Sequence, residues 1–256
     1  MARRMALTVD LEPDWGVRGT RAYREITPLF LEWLEARGIR ATFFVVSNLL
    51  AATGEPVVAI GKRNEVASHG RSHRLLSALP EKEVLAELVQ SRRRLRELGL
   101  PVRGFRAPFF RRTRRLMRLV RAAGYAYDAS MGSVVPGPVN GRLHGLGCPC
   151  RTDGLPEFPT SAMMDGFFPL SLTWLRVMAP LSLRKLPRTA GLIYLHLHEF
   201  LPAETASCLP VPLRAVLTRN CGDSAWEILD RALDALDCEF TTCEQLLNEQ
   251  GRVGSG

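Results

Sequence analysis

Apolar and polar positions along this chain fall into blocks that read alternately as strands and helices. Residues 5–11, MALTVDL, are a short apolar strand running into acidic residues. Thr27-Pro28 marks a helix start, because proline at the first helical position loses no needed N–H. The helix over 29–38 then stops near Gly38. ATFFVV (41–46) has the composition of a strand buried on both faces, and EVASH (65–69) is a third strand with polar residues at its end. Residues 80–98 form an amphipathic helix, with acids at its positive end and arginines at the other. RGFRAP (103–108) is a short strand closed by proline, 113–124 a helix with a glycine stop, and 125–130 a strand with its loop. A Gly- and Pro-rich loop is expected over 131–154 and a short strand over 155–161. The apolar segment 168–187, basic at its end, fits either a core helix pair or an exposed lip touching lipid. GLIYLHLHEF (191–200) is a second strongly buried strand. Residues 224–236 form a helix, and 238–250 a strand and a short helix capped by Thr242.

Six to eight strands alternating with helices predict one α/β domain over 1–256, built as a closed or nearly closed barrel. An open doubly wound sheet is the alternative, but no strand leads into a Gly-x-Gly-x-x-Gly phosphate loop.

With 46% hydrophobic and 23% charged residues, disorder is excluded. The formal charge of +8 is carried largely by arginines in 91–97 and 110–121. Both runs fit helices with a charged outer face, either plainly solvated or meeting an anionic lipid or phosphate. Nucleic acid is not expected, since the runs lack interleaved aromatic residues. No signal peptide and no stretch of membrane-spanning length is read, so the expected location is cytoplasmic, with peripheral contact to the inner face of a membrane. Cys148-Pro149-Cys150, Cys208, Cys221, Cys238 and Cys243 form no standard paired zinc pattern and read as ordinary thiols.

Polar residues gather at the C-terminal ends of the predicted strands, where α/β barrels place their chemistry. Asp10 and Glu12 share a face by the two-residue period, whereas Pro13 ends the strand before Asp14. Two buried carboxylates so close need a cation or an arginine between them. His69 and His73, four apart, share one face of a helical turn and can bind one cation together with a carboxylate. Arg106, fixed by Ala107-Pro108, can clamp a carboxylate through its fork of donors. His196 and His198 alternate onto one face of the late strand, with Glu199 facing away if the strand continues. A histidine at that end suits proton transfer near neutral pH. The set fits metal-assisted hydrolysis of an amide or ester.

In this order the motifs resemble those of the polysaccharide deacetylases with the NodB homology domain, the family 4 carbohydrate esterases, over about residues 5–200. The resemblance implies a distorted, incomplete (β/α) barrel of seven or eight units and one divalent metal ion, zinc or a similar cation. Thr8-Val9-Asp10-Leu11-Glu12 is similar to a variant first motif, making Asp10 the base and Glu12 a metal ligand, with Asp14 as the competing ligand. Ser68-His69-Gly70-Arg71-Ser72-His73 supplies the two metal histidines. Arg106-Ala107-Pro108-Phe109 supplies the arginine that orients the base. Tyr127-Asp128-Ala129-Ser130 matches loosely, with Asp128 expected near His196 or Arg106 as an orienting group. Leu195-His196 implies a leucine lining the acetyl pocket and a histidine acting as general acid. The implied substrate is an N-acetylated amino sugar or glycan; the basic surface and the apolar 168–187 segment point to one carried on a nucleotide or polyprenyl phosphate, with a small glycoside equally open. Removal of formyl from a lipid-linked sugar and non-catalytic glycan binding are the alternatives.

Overall fold

The computed structural model describes residues 3–132, 150–152, 154–164, 167–187 and 191–253. The chain runs β1 (Arg4–Leu11), α1 (Arg21–Ala36), β2 (Thr42–Val45), α2 (Leu50–Gly61), β3 (Glu65–Ser68) and α3 (Glu81–Glu97). It continues through β4 (Gly104–Phe105), α4 (Arg114–Ala122), β5 (Tyr127–Asp128), β6 (Cys150–Thr152), β7 (Leu155–Glu157), β8 (Ala162–Met163) and β9 (Phe168–Pro169). It ends with α5 (Leu172–Val177), β10 (Leu192–His196), α6 (Val211–Leu217), α7 (Asp223–Leu236), β11 (Glu239–Thr241) and α8 (Cys243–Val253).

The main sheet has the order β10-β1-β2-β3-β4-β5-β7-β6, parallel except for β6, with β11 added beside the start of β1. It curls into an incomplete barrel. Isolated parallel bridges, Thr160 with Leu192 and Ser171 with Tyr194, span the side where β10 faces the chain after β7. This is the expected barrel, left without full closure.

Strand alternation sorts side chains into two layers. Leu7, Val9, Phe43, Ile193 and Leu195 face outward and pack under the helices with Phe30, Leu34, Leu88 and Leu229. Full burial of each such side chain is worth roughly 1.5–3 kcal/mol. Ala6, Phe44, Ala67, Tyr127 and Leu192 face inward and meet Cys243, Leu246 and Leu247 of α8 at the barrel floor. The start of α8 is held there by the Cys243 N–H donating to Thr42 Oγ1 and the Glu244 N–H donating to buried Glu65. Thr242 caps it as expected, accepting the Gln245 N–H while Gln245 accepts the Thr242 N–H. In β4, Gly104 is required by close approach, since a Cβ there would lie 2.0 Å from the Tyr127 ring.

Several local expectations are corrected. Helix α1 begins at Arg21, seven residues before Pro28. Asp14 replaces a local cap, its carboxylate accepting the N–H groups of Arg21 at 2.6 Å and Ala22 at 3.2 Å. Helix α2 was not anticipated, because Gly54 and Pro56 inside it obscure the pattern. Segment 168–187 holds the short helix α5 and a 3-10 helix over Leu181–Arg184: Leu170, Leu172 and Leu175 enter the core, whereas Phe167 just before the segment and Leu181 are exposed. Strand β10 stops at His196, and Leu197–Phe200 turn as a 3-10 helix. Cys148 and most of the expected loop 131–154 lie outside the described residues.

Candidate active site

Strand register brings the chemistry together. Asp10 of β1 lies beside His196 of β10 on one side and Phe44 of β2 on the other. Val45 pairs with Ser68 and Ser68 with Phe105, so the residues that follow, His69 and Arg106, emerge on the same rim.

Arg106 is fully buried, and all three of its nitrogens are used. It donates to Asp10 Oδ1 at 2.6 Å, Thr8 Oγ1 at 3.0 Å and the Ala129 carbonyl at 2.9 Å. Its guanidinium sits 4.1 Å from the centre of the Phe44 ring and 5.1 Å from that of Phe110. Asp10, also buried, is therefore fixed in direction by a charged donor.

Glu12, His69 and His73 place one ligand atom each within 4.8 Å of one another. Glu12 Oε2 is 2.6 Å from His73 Nε2 and 3.8 Å from His69 Nε2. His73 Nε2 is nonetheless a buried nitrogen with no hydrogen-bond partner, so the two groups converge side by side without satisfying each other. His69 Nδ1 lies 2.9 Å from the Arg106 carbonyl, which fixes its proton on Nδ1 and leaves the Nε2 lone pair facing Glu12. Two imidazole nitrogens and a carboxylate oxygen form the donor set of a catalytic divalent cation with an open position. The residues present fit that group.

The two histidines do not share a helical turn as expected. They span a loop in which Gly70 has φ +78° and His73 φ 55°. The loop is held by buried Glu87 of α3, which accepts the N–H groups of Arg71 and Ser72 and the Ser72 hydroxyl. Asp14 is turned away to cap α1, so Glu12 is the acid that joins the histidines.

Opposite the triad, His196 Nε2 lies 3.8 Å from Glu12 Oε1. Its orienting carboxylate is Glu199, which sequence reasoning turned the other way. The 3-10 turn folds Glu199 back to accept the His196 N–H at 3.0 Å, 3.3 Å from His196 Nδ1. Buried Arg176 of α5 grips the other Glu199 oxygen at 2.8–2.9 Å. Arg176 was also missed, since nothing in its apolar segment marks a partner 23 residues away. Asp128 accepts from the Ser130 N–H and hydroxyl and lies 3.9 Å from Arg112, and the same Ser130 oxygen accepts the Ala107 N–H next to Arg106. Leu195 faces the helices, whereas Tyr194 shares the inner face with His196, its ring packed 4.8 Å from that of Phe110. His198 stacks on His196 with ring centres 5.0 Å apart and meets Trp15 at 4.8 Å.

Burial opposes the charge of Glu12, but the neighbouring imidazoles of His196, His69 and His73 hold its carboxyl well below the usual carboxylate range. Burial likewise opposes a charged His196, and Glu12, Glu199 and Asp10 override it, pushing its pKa up to about 9. His198 goes the other way: burial and the neighbouring His196 depress it to about 3. The site thus combines a fixed carboxylate, a three-ligand cluster and a proton-bearing histidine on one rim.

Compared with known sequences, residues 2–127 match the polysaccharide deacetylase family. This N-terminal half belongs to that family. Chitin deacetylase 1 from Cryptococcus neoformans var. grubii is 28% identical over 97 residues, covering 37% of this chain and 21% of that protein. The match spans about a fifth of that relative's length. A candidate polysaccharide deacetylase from Mycobacterium smegmatis superposes with a TM-score of 0.65 at 18% identity, covering 99% of this chain and 92% of that one. A family 4 pseudoenzyme from Bacillus anthracis gives a TM-score of 0.60 at 14% identity, covering 96% of this chain and 66% of that one. These structural likenesses are of fold, and one of them is to a pseudoenzyme, so activity must be argued from the side chains of the site.

Proposed function

We propose that this protein is a metal-dependent N-deacetylase acting on an amino sugar or glycan intermediate, releasing acetate and a free amine. The observation that carries the reading is the convergence of Glu12, His69 and His73 between an arginine-clamped Asp10 and a carboxylate-held His196. A divalent cation, with zinc the choice that the N,N,O donor set supports, supplies Lewis-acid polarisation of the acyl carbonyl and of water when bound to that triad.

The chain's own residues divide the proton work. Asp10, aimed by Arg106, accepts the proton of the attacking water. His196, with Nδ1 committed to Glu199, donates from Nε2 to the departing sugar nitrogen. Tyr194, on the same strand face as His196, packs its ring against that of Phe110 beside these groups.

The same residues would serve removal of formyl, the second reading. Formate and acetate release from matched N-formyl and N-acetyl substrates separates the two: acetate supports deacetylation, and formate alone replaces it.

The substrate carrier proposed is phosphorylated or polyprenyl-linked, with the protein working at a membrane surface. No described helix is long and apolar enough to cross a membrane, so contact would be peripheral. The arginine run at 111–115 supports this less than its sequence suggested. Arg112 pairs with Glu157, and Arg115 donates to the Ser77 and Leu79 carbonyls, while Arg111 and Arg114 are exposed.

A further inference from the structure

Helix α6 has no buried residue. Its apolar side chains Val211, Leu213 and Val216 are 67%, 47% and 46% exposed. Leaving such a face in water is unfavourable, and exposed apolar clusters of this kind mark contact surfaces. Its C-terminal end is anchored by hydrogen bonds. Arg176 of α5 donates to the carbonyls of Leu217 and Arg219, and Asn220 donates back to the Arg176 carbonyl. Leu217 also packs with Trp15, Ala206 and Leu209. On either side of α5, Phe167 is 73% and Leu181 51% exposed.

The sequence within and just after α6, and that following Leu181, is basic. The sequence carries no acidic residue between Asp165 and Glu199, and none between Glu204 and Asp223. The same two stretches contain Arg184, Lys185, Arg214 and Arg219. An exposed apolar helix carrying Arg214 and followed by Arg219 matches the chemistry of an anionic bilayer surface: hydrocarbon for the valines and leucine, headgroup charge for the arginines.

The location is coupled to the site. Arg176, which clamps the end of α6, also holds Glu199, and Glu199 holds His196. Trp15, packed against Leu217, meets His198, which stacks on His196.

We infer that α6, together with Phe167 and Leu181, docks this protein onto an anionic membrane surface beside the rim of its active site. This deepens the proposed function by naming how a membrane-borne substrate would meet His196, and in that respect rests on it.

The test is co-sedimentation of the full chain with vesicles of phosphatidylcholine alone or mixed with phosphatidylglycerol, at low and high salt. The wild type binds the mixed vesicles, more weakly in high salt. Binding falls roughly tenfold or more in a Val211→Ser/Leu213→Ser/Val216→Ser protein and in an Arg214→Gln/Arg219→Gln protein. All these side chains except Arg214 are well exposed, and melting temperatures near the wild type's confirm that each variant is folded. An Asp10→Asn protein binds as the wild type does, so failure of the catalytic reading would not be mistaken for failure of docking. No binding of the wild type to the mixed vesicles, or undiminished binding of both variants, overturns the inference. So does a dimer in solution that the apolar substitutions dissociate, because the face would then be covered by a second copy.

Discussion

Glu199 Oε1 accepts the backbone N–H of His196 at 3.0 Å and lies 3.3 Å from Nδ1 of the same residue. One carboxylate thereby sets both the end of β10 and the direction of the ring, leaving Nε2 turned toward Glu12. Such a partner fixes which nitrogen exchanges its proton. Glu199→Gln is expected to lower kcat by about ten- to a hundredfold with KM little changed, within the range that positioned acid–base groups contribute. Glu199→Asp should recover part of the loss. Steady-state kinetics of the three proteins test this, and an unchanged kcat in Glu199→Gln contradicts it.

The same carboxylate makes stability depend on acid. Burial opposes its charge, but Arg176 and His196 hold Glu199 at about 2 against an ordinary value of 4.5. A lowered folded pKa gives stability that is complete above the unfolded value and is lost as pH falls through the folded one. The wild type should therefore lose on the order of 3 kcal/mol from this group between about pH 4.5 and pH 2. Urea denaturation across that range should show a steeper loss for the wild type than for Glu199→Gln. Parallel curves would remove the argument.

Activity should fall on the alkaline side as His196 loses its proton. Its pKa is pushed up to about 9 by Glu12, Glu199 and Asp10 against the effect of burial. A cation on Glu12 offsets part of that, so the limb in the metal-loaded protein should lie lower. Glu199→Gln removes another negative neighbour and should move the limb lower still. A pH–rate profile with an unmoved alkaline limb would show that His196 is not the titrating acid.

Much of this site was legible in the sequence because its residues sit where strand patterns end. The apolar runs before Asp10, His69, Arg106 and His196 mark the barrel rim, and the two-residue period separates Asp10 and Glu12 from Leu11. What was hidden depends on turns and on distant partners. Pro28 resembled a helix start although a side chain from Asp14 begins α1 seven residues earlier. The sequence HLHEF continues an apolar alternation, yet it turns after His196, and only that turn brings Glu199 back. Arg176 reads as one charge in an apolar segment until folding supplies Glu199. Leu195 is assigned to the pocket by motif alone, while strand parity puts Tyr194 on the face of His196.

Asp14 and Glu12 should separate cleanly on substitution. Asp14→Ala removes the acceptor for two helix N–H groups and is expected to cost about 1–2 kcal/mol of stability without weakening metal binding. Glu12→Gln removes the only carboxylate of the ligand cluster and should weaken zinc binding by at least about tenfold. Denaturant midpoints paired with calorimetric zinc titrations distinguish them, and the reverse pattern would reassign the ligand to Asp14.

Acetate release from N-acetylated amino sugars by metal-stripped protein, with zinc added back stepwise, tests the central claim most directly. The panel should span chitin oligomers, nucleotide-linked sugars and a polyprenyl-linked sugar. Acetate should appear in proportion to zinc up to one equivalent and be lost in Asp10→Asn with zinc still bound. Zinc uptake at the triad with no acetate from any substrate would contradict deacetylation as the function of this site.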